Sequence, residues 1–344
     1  MISFESDYNN GACPEVLKRL AETNDAQMGG YLCDELCASA AEKIKKAACV
    51  PEASVYFTVG GTQANALVIG TILKNYQGVL AAKTGHISLH EGGAIEFTGH
   101  KVIELEQDQG KVKPEVLKNY LEIFFADENN DKMVFPGMLY VSHPTEYGTL
   151  YTKAELTALS ETCHKYGLLL YLDGARLGYG LAAENTDVTL PDIARLCDVF
   201  YIGGTKVGAL CGEAIVFKKG VQPEHFETVA KQRGAMIAKG RLLGAQFDAL
   251  FTEDTYMKIS RHAIRMAGEI RRIFTERGYR MFIDSPTNQQ FPILEDGILE
   301  SIKGKVGFCF WEKYDENHTV VRFASSWATT EEDIAYLEQV IPAV

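Results

Sequence analysis

Short apolar segments alternate with amphipathic segments along the first two thirds of the chain. The apolar segments are rich in residues that favour strands, and they lie at residues 54–59, 78–82, 101–105, 138–142, 168–173 and 199–203. The segments between them, such as residues 113–125 and 153–166, carry apolar residues at helical spacing. Strands that alternate with helices predict a mostly parallel sheet with helices on both faces, which is an α/β fold of three layers.

The last part of this pattern departs from simple alternation. Residues 212–217 follow the preceding strand too closely for a crossover helix, so we predict an antiparallel strand there. From about residue 246 the pattern predicts a long helix at residues 256–277. The pattern further predicts short strands near residues 291, 306–311 and 319–323 and a closing helix at residues 331–340. These elements predict a smaller α+β C-terminal domain.

The same pattern divides the chain into three parts. Residues 26–245 are predicted to form the large domain, and residues 246–344 the small C-terminal domain. Residues 1–25 contain a helical segment at residues 14–22, and we predict that this N-terminal segment packs at the boundary between the two lobes.

Composition narrows the class of protein. The 344 residues carry a net charge of -12, which argues against a nucleic-acid surface because phosphate backbones are bound by clustered Lys and Arg. The eight cysteines are scattered without metal-ligand spacing, so free thiols and no metal site are expected. No signal peptide and no apolar run of about 20 residues is evident. We therefore expect a cytoplasmic protein that binds small metabolites.

Lys206 stands out because it follows a buried-looking strand and is flanked by small residues. Asp173 ends the predicted strand that precedes the strand of Lys206 in the chain. If the two strands are parallel, the amine and the acid lie at the same edge of the sheet. Open α/β sheets bind their ligands at this edge. Loss of solvent lowers the pKa of a lysine and makes it nucleophilic. The alternatives are a solvated surface charge for Lys206 and a helix cap or a partner of Arg176 for Asp173.

Gly61 and Thr62 lie between a strand and a helix, where free N–H groups at the helix start suit a phosphate. A Gly-Gly turn at such a place is also commonly structural. Together with Lys206 and Asp173, this loop meets the needs of pyridoxal phosphate: an amine for the aldehyde, an anion for the ring nitrogen and donors for the phosphate. His86 could stack on the ring, although His90 lies four residues further along the same helix face.

These motifs together resemble the threonine aldolases of the β-eliminating lyase group, which have the aspartate-aminotransferase-like fold type I. The resemblance extends from Ser6-Asp7 to Val321-Arg322-Phe323, and it is carried by Gly61-Thr62, His86-Ile87, Glu91-Gly92-Gly93, Asp173-Gly174-Ala175-Arg176 and Lys206. It implies that Lys206 forms a Schiff base with pyridoxal 5′-phosphate, Asp173 pairs with the ring nitrogen and His86 stacks on the ring.

The resemblance also implies roles for other residues. Gly61 and Thr62 would hold the phosphate, and Arg176 would contact both cofactor and substrate. Ser6, Arg176 and Arg322 would bind the substrate carboxylate, because a guanidinium suits two oxygens. His143 would lie near the substrate hydroxyl. A homodimer or homotetramer with sites at the subunit interface is implied as well.

The chain departs from the family pattern at two places that bear on the site. The family has an arginine near Met236 that is missing here, and Arg233, Lys239 and Arg241 are candidates to replace it. His143 is followed by Pro144-Thr145-Glu146-Tyr147, so Glu146 or Tyr147 is expected to alter the pocket.

The resemblance implies cleavage of L-threonine or L-allo-threonine to glycine and an aldehyde. Another lyase, aminotransferase or racemase reaction with the same cofactor remains an alternative, as does a catalytically silent binding protein.

Overall fold

The computed structural model describes residues 2–343. The strands within this range are β1 Ile2–Ser3, β2 Ser54–Thr58, β3 Gln77–Ala82, β4 Val102–Leu105, β5 Phe135–Ser142, β6 Leu169–Asp173, β7 Val199–Gly203, β8 Glu213–Phe217, β9 Gln289–Gln290, β10 Ile293–Glu295, β11 Val306–Gly307, β12 Cys309–Lys313 and β13 His318–Ala324. The α-helices are α1 Pro14–Glu22, α2 Glu35–Ala48, α3 Gly61–Ile72, α4 His86–Leu89, α5 Ala94–Phe97, α6 Pro114–Ala126, α7 Lys153–Lys165, α8 Leu177–Ala182, α9 Leu190–Leu196, α10 Phe226–Gln232, α11 Arg241–Leu250, α12 Thr255–Glu276, α13 Asp296–Ile302 and α14 Glu331–Val340. A 3₁₀ turn spans Asn130–Lys132.

A seven-stranded sheet in the order β2-β8-β7-β6-β5-β3-β4 forms the centre of the larger part. Strand β8 runs antiparallel to both of its neighbours, whereas the pairs from β7 to β4 are parallel. The mostly parallel sheet is therefore confirmed, as is the antiparallel strand predicted after Lys206. Helices cover both faces, so side chains that alternate along a strand enter different cores.

Side chains along β5 and β7 point alternately to the two faces of the sheet. This alternation determines which of them lie on the face that carries Asp173. Tyr140 of β5 and Tyr201 of β7 belong to the core beneath α3 and α10. Leu139 and Val141 of β5 point to the opposite core, beneath α2, α7 and α11. The register pairs Ser142 with Asp173. Because residues two apart share a face, Ser142 continues the row of Tyr140.

The C-terminal part contains the antiparallel sheet β10-β13-β12, with β9 paired to the end of β13. Helices α12 and α14 pack on it around Phe274, Val321 and Phe323. The predicted strand at residues 306–311 is two strands, β11 and β12, and the strand near residue 291 is likewise split into β9 and β10. The fold class is confirmed, while the domain boundaries stay a prediction.

The first residues contact both parts of the chain. Strand β1 pairs in parallel with β11, and α1, at the predicted bounds, packs on α11. Within residues 2–343, no helix combines the length and the apolar character that crossing a membrane requires.

Candidate active site

Two neighbouring cavities lie where β5, β6 and β7 end. The first, of about 490 Å³, faces the C-terminal sheet and is lined in part by Arg322 and Trp311. The second, of about 270 Å³, reaches the start of α3 and is lined in part by Gly61 and Thr62. Both are also lined by Tyr8, His86, Glu146, Arg176 and Lys206. The structure thus brings Lys206 together with most of the predicted site residues.

Lys206 lies just after β7, and its amine points toward the two cavities that it lines. Burial lowers the pKa of this amine, and the charge of Arg176 lowers it further. The charges of Asp7 and Asp173 raise the pKa but do not offset the decrease. Within the described chain no hydrogen bond or ion pair engages Nζ, and the nearest aromatic ring, that of Tyr8, is centred 6.0 Å away. The amine is therefore free to react.

Asp173 ends β6, and its carboxylate accepts four hydrogen bonds from the protein. Oδ1 accepts from Tyr201 Oη at 2.5 Å and from the Ala175 amide at 3.0 Å. Oδ2 accepts from Tyr140 Oη at 2.6 Å and from Asn65 Nδ2 at 3.1 Å. These donors hold the carboxylate in a fixed orientation at the end of β6. They also use about all four of its lone-pair sites.

A further donor can therefore reach Asp173 only if one present donor turns away. Tyr140 is one candidate: Ser142 Oγ donates to Tyr140 Oη at 3.2 Å and to Glu146 Oε1 at 2.6 Å, and it keeps lone pairs that could accept from a turned tyrosine hydroxyl. The backbone and amide donors, by contrast, are fixed by their own elements.

Gly61 and Thr62 begin α3, whose first N–H groups have no side-chain cap because the N-cap residue is Gly60. The loop lies very close to β7. A Cβ placed on Gly61 would stand 2.9 Å from Tyr201 Oη, whereas a Cβ on Gly60 would meet nothing within 4 Å. The glycine at position 61 therefore lets the helix start approach the tyrosine that holds Asp173.

His86 begins α4, and its imidazole lines both cavities. Nδ1 lies 2.9 Å from Glu91 Oε1, which also accepts from Asn65 Nδ2 at 2.7 Å. Glu91 thus connects His86, through Asn65, with Asp173. The rival, His90, lines only the first cavity, and burial and the neighbouring His86 lower its pKa. The hydrogen bond to Glu91 makes His86 the better fixed of the two rings.

Glu213, at the start of β8, is a buried acid that the sequence did not single out. Its Oε2 accepts from the Gly204 amide at 3.0 Å, and it lines the second cavity beside Lys206. Burial raises its pKa to about 8, although Thr205 and Lys206 oppose this rise. Glu213 therefore holds its proton to a higher pH than an exposed glutamate does.

His143 does not reach the place predicted for it. It is fully buried, lines neither cavity, and accepts a hydrogen bond at Nδ1 from the Tyr151 amide at 3.3 Å. The physical reason is the pleat of β5, which sends Tyr140 and Ser142 toward the site and residues 139, 141 and 143 toward the opposite core. The expected position near the substrate hydroxyl is corrected accordingly. Glu146, three residues later, lines both cavities instead.

The three residues predicted to bind the substrate carboxylate differ in their contacts. Ser6 Oγ donates to Asn9 Oδ1 at 2.6 Å and lines neither cavity, so the structure does not bring it into the site. Arg176 lines both cavities but is paired with Asp7.

Of the two arginines that line the cavities, Arg322 is the one without a carboxylate partner within residues 2–343. Nη1 donates to Gln289 Oε1 at 3.1 Å and Nη2 to the Glu5 carbonyl at 3.0 Å. Its Nε is buried without a partner, and the guanidinium lies 5.7 Å from the centre of the Trp311 ring. Arg322 thus presents an unneutralised charge to the first cavity.

The three candidates for the missing family arginine lie outside both cavities. Arg233 Nη1 donates to the Ala66 carbonyl at 2.9 Å, on the side of α3. Arg241 donates to the carbonyls of Asn24 and Ala26. Lys239 lines neither cavity either, so none of the three brings a charge to Gly61 and Thr62.

Comparisons with known proteins identify the family of this chain. Residues 4–289 match the family model of β-eliminating lyases. A low-specificity L-threonine aldolase from a Pseudomonas species is 30% identical over 345 residues, which cover 99% of this chain and 97% of the relative. The structure of Leishmania major threonine aldolase superposes with a TM-score of 0.95 at 38% identity, over 99% of this chain and 98% of that one.

A more distant structure, the aspartate aminotransferase of Thermus thermophilus, is 18% identical with a TM-score of 0.72, over 98% of this chain and 90% of that one. This likeness concerns the fold alone, and it confirms the predicted aspartate-aminotransferase-like architecture. Since the family model matches most of the chain and the relative aligns over nearly its whole length, the chain belongs to the β-eliminating lyase family.

Proposed function

We propose that this protein is a pyridoxal-phosphate-dependent aldolase that cleaves β-hydroxy-α-amino acids, L-threonine or L-allo-threonine, to glycine and an aldehyde. The observation that carries the proposal is the unpartnered, desolvated amine of Lys206 between Asp173, the start of α3 and Arg322. The likeness to proteins named threonine aldolase, which extends over nearly the full chain, supports the same reaction.

The residues of the two cavities fit pyridoxal 5′-phosphate. Four buried polar atoms of residues that line the first cavity lack a partner within residues 2–343, namely Thr84 Oγ1, Glu146 Oε2, Gln289 Nε2 and Arg322 Nε. A polar ligand would satisfy such atoms. Lys206 would hold the cofactor covalently, Gly61 and Thr62 its phosphate, and Asp173 its ring nitrogen. The cofactor supplies an aldehyde for amine exchange and a ring that accepts electrons.

The charge and the contacts of each side chain in the two cavities determine its proposed role. Asp173, fixed by Tyr201 and Asn65, provides the negative charge that keeps a facing ring nitrogen protonated. His86, oriented by Glu91, packs against the ring. Arg322 binds the substrate carboxylate, because its guanidinium has no carboxylate partner within the described chain and a fork matches two oxygens. Burial lowers the pKa of Lys206, so its Nζ releases a proton more readily than the amine of an exposed lysine.

We further propose that the protein assembles as a homodimer or homotetramer with sites at the subunit interface. Exposed apolar side chains surround the first cavity, including Tyr8 at 55%, Leu89 at 57% and Phe310 at 64% exposure, and Phe97 on α5 is 96% exposed. A second copy that covers them would remove apolar surface from water. Light scattering tests this: we expect the wild type to be at least a dimer, and a monomer with full activity would contradict it. A cytoplasmic location stays a prediction.

The test of the central proposal uses the purified protein with pyridoxal 5′-phosphate. We expect a yellow absorbance band, lost in Lys206→Ala, and release of glycine and acetaldehyde from L-threonine. Ammonia with a keto acid would indicate elimination, an amino-group transfer to a keto acid would indicate transamination, and D-allo-threonine would indicate racemisation at Cα. Failure to bind the cofactor under any reconstitution would overturn the proposal.

A further inference from the structure

Glu146 lies between the end of β5 and α7, on the side of the sheet that carries Asp173. Its Oε1 accepts from Ser142 Oγ at 2.6 Å and from the His86 amide at 3.0 Å. These two donors fix the carboxyl group against the cavity walls. The side chain lines both cavities together with Lys206.

The second oxygen of this carboxyl group has no partner. Glu146 Oε2 is buried and receives no hydrogen bond from residues 2–343. A buried carboxylate oxygen without a donor is costly, so its retention at the lining of a cavity indicates that a ligand supplies the missing contact. A group that carries a proton, such as a hydroxyl, suits this oxygen.

The other bases near Lys206 are less suited to receive a proton from a substrate hydroxyl. His143 faces the opposite core. His86 has Nδ1 engaged by Glu91, which leaves Nε2 as its one open nitrogen and makes it the main rival. Tyr147 Oη is 3.4 Å from Glu312 Oε2, and burial and that acid raise its pKa, so its hydroxyl is a poor base.

Building on the proposed aldolase function, we propose that Glu146 is the base that takes the β-hydroxyl proton of the substrate at Oε2. The O–H bond breaks, the proton passes to the carboxylate, and the O–H electron pair becomes the second bond of the aldehyde carbonyl. The Cα–Cβ bond breaks with its electron pair left on Cα. A proton later returned to Cα gives glycine, and loss of the proton from Glu146 restores the base.

The groups around Glu146 determine the pH range in which its carboxylate can act as a base. Burial raises its pKa and the charge of Asp173 raises it further, while the Ser142 hydrogen bond and the charge of His86 lower it. The positively charged side chains of Lys206 and Arg176 line the same cavities. Glu146 is a base only above its pKa. As the pH is lowered, the cleavage rate should therefore begin to fall at a pH above the pKa range of an ordinary glutamate.

The test compares two reactions of the cofactor-loaded enzyme. Cleavage of L-threonine needs a base for the hydroxyl, whereas exchange of the glycine α-proton for deuterium does not, because glycine has no β-hydroxyl. We expect Glu146→Gln to lower kcat for cleavage by about 100-fold or more and to leave glycine exchange within a few-fold. Glu104→Gln is the matched control, since Glu104 is exposed on β4 and lines neither cavity. It should retain both reactions.

The pH profile separates a base from a merely structural residue. Ser142→Ala removes a donor that favours the ionised carboxylate, so the acid limb of cleavage should move to higher pH, and Glu146→Gln should abolish that limb. Equal loss of exchange and cleavage in Glu146→Gln would overturn the proposal, as would full cleavage by that variant or a selective loss of cleavage in His86→Phe alone. A wild type that exchanges glycine but cleaves no β-hydroxy amino acid would instead contradict the proposed function.

Discussion

The carboxylate of Asp7 accepts two hydrogen bonds from the guanidinium of Arg176, from Nε at 2.6 Å and from Nη2 at 3.0 Å. A third donor, Asn288 Nδ2, lies 2.9 Å from the same carboxylate. Asp7 belongs to the N-terminal segment, Arg176 follows β6 and Asn288 precedes β9. The pair therefore joins three distant segments beside Lys206, and it leaves Nη1 of Arg176 open to a ligand.

Asp7→Asn should destabilise the protein because it leaves the buried charge of Arg176 without its partner. Asp7 is 2% exposed, and removal of one partner from a buried ion pair costs about 3–5 kcal/mol. Urea unfolding with cofactor present measures the change. Glu52→Gln is the control, because its partner Lys219 and Glu52 are both well exposed and such pairs contribute little. Equal stability of Asp7→Asn and the wild type would contradict the expectation.

The same pair predicts a dependence of stability on pH. Burial raises the pKa of Asp7, but the charges of Arg176 and Lys206 more than offset this and hold the pKa below its usual value. The stabilisation is therefore present above the pKa of an unfolded aspartate, about 3.9, and is lost as the pH falls through the lower folded pKa. In Asp7→Asn this part of the acid sensitivity should be absent from urea unfolding curves.

Gly61→Ala should weaken cofactor binding. The added Cβ would stand 2.9 Å from Tyr201 Oη, so either α3 or the tyrosine that donates to Asp173 must shift. We expect the Kd for pyridoxal 5′-phosphate to rise about 10-fold, as a shift worth about 1.4 kcal/mol implies. Gly60→Ala is the matched control because its Cβ meets nothing within 4 Å, and titration followed by absorbance measures both. A similar rise in both variants would rule out the Tyr201 contact as the cause.

The sequence predicts the backbone of the site well because strand ends are set by local patterns. Asp173 ends β6 and Lys206 follows the end of β7, and residues at the ends of neighbouring parallel strands share a sheet edge. The glycines before α3 likewise mark a helix start that lacks a side-chain cap. These features need only the order of strands and helices.

The side-chain contacts are harder to predict because they depend on distant segments. Asp7 and Arg176 are far apart in the chain, and nothing local indicates their pairing. His143 shows a different difficulty: its place depends on the phase of the β5 pleat, which a shift of one residue reverses. Tyr140 was within reach of the sequence, since it stands two residues before Ser142 on the strand next to Asp173.

Arg322→Ala should raise KM for L-threonine by about 10- to 100-fold, because a charge-assisted hydrogen bond contributes about 1.5–3 kcal/mol. The Kd for pyridoxal 5′-phosphate should change little, since Arg322 lines the first cavity and not the one that reaches Gly61. Steady-state kinetics and cofactor titration separate the two effects. Arg265→Ala, which removes an exposed ion pair with Glu331, should change neither. An unchanged KM in Arg322→Ala would exclude this arginine from substrate binding.

His143→Gln should affect stability at low pH more than catalysis, because the histidine lies in the core and not in the cavities. Burial lowers the pKa of His143 to about 4, below the value of about 6.5 in an unfolded chain. The neutral ring thus stabilises the fold fully above pH 6.5, and this contribution falls by up to about 3 kcal/mol as the pH drops from there to about 4.

Glutamine keeps an acceptor for the Tyr151 amide and does not titrate, so the variant should lose less stability than the wild type between pH 6.5 and 4 while kcat stays within a few-fold. Urea unfolding across this range and kinetics at neutral pH measure the two effects. A folded His143→Gln with cleavage reduced 100-fold and normal glycine exchange would mean that His143 acts on the substrate hydroxyl, which its place in the opposite core does not allow.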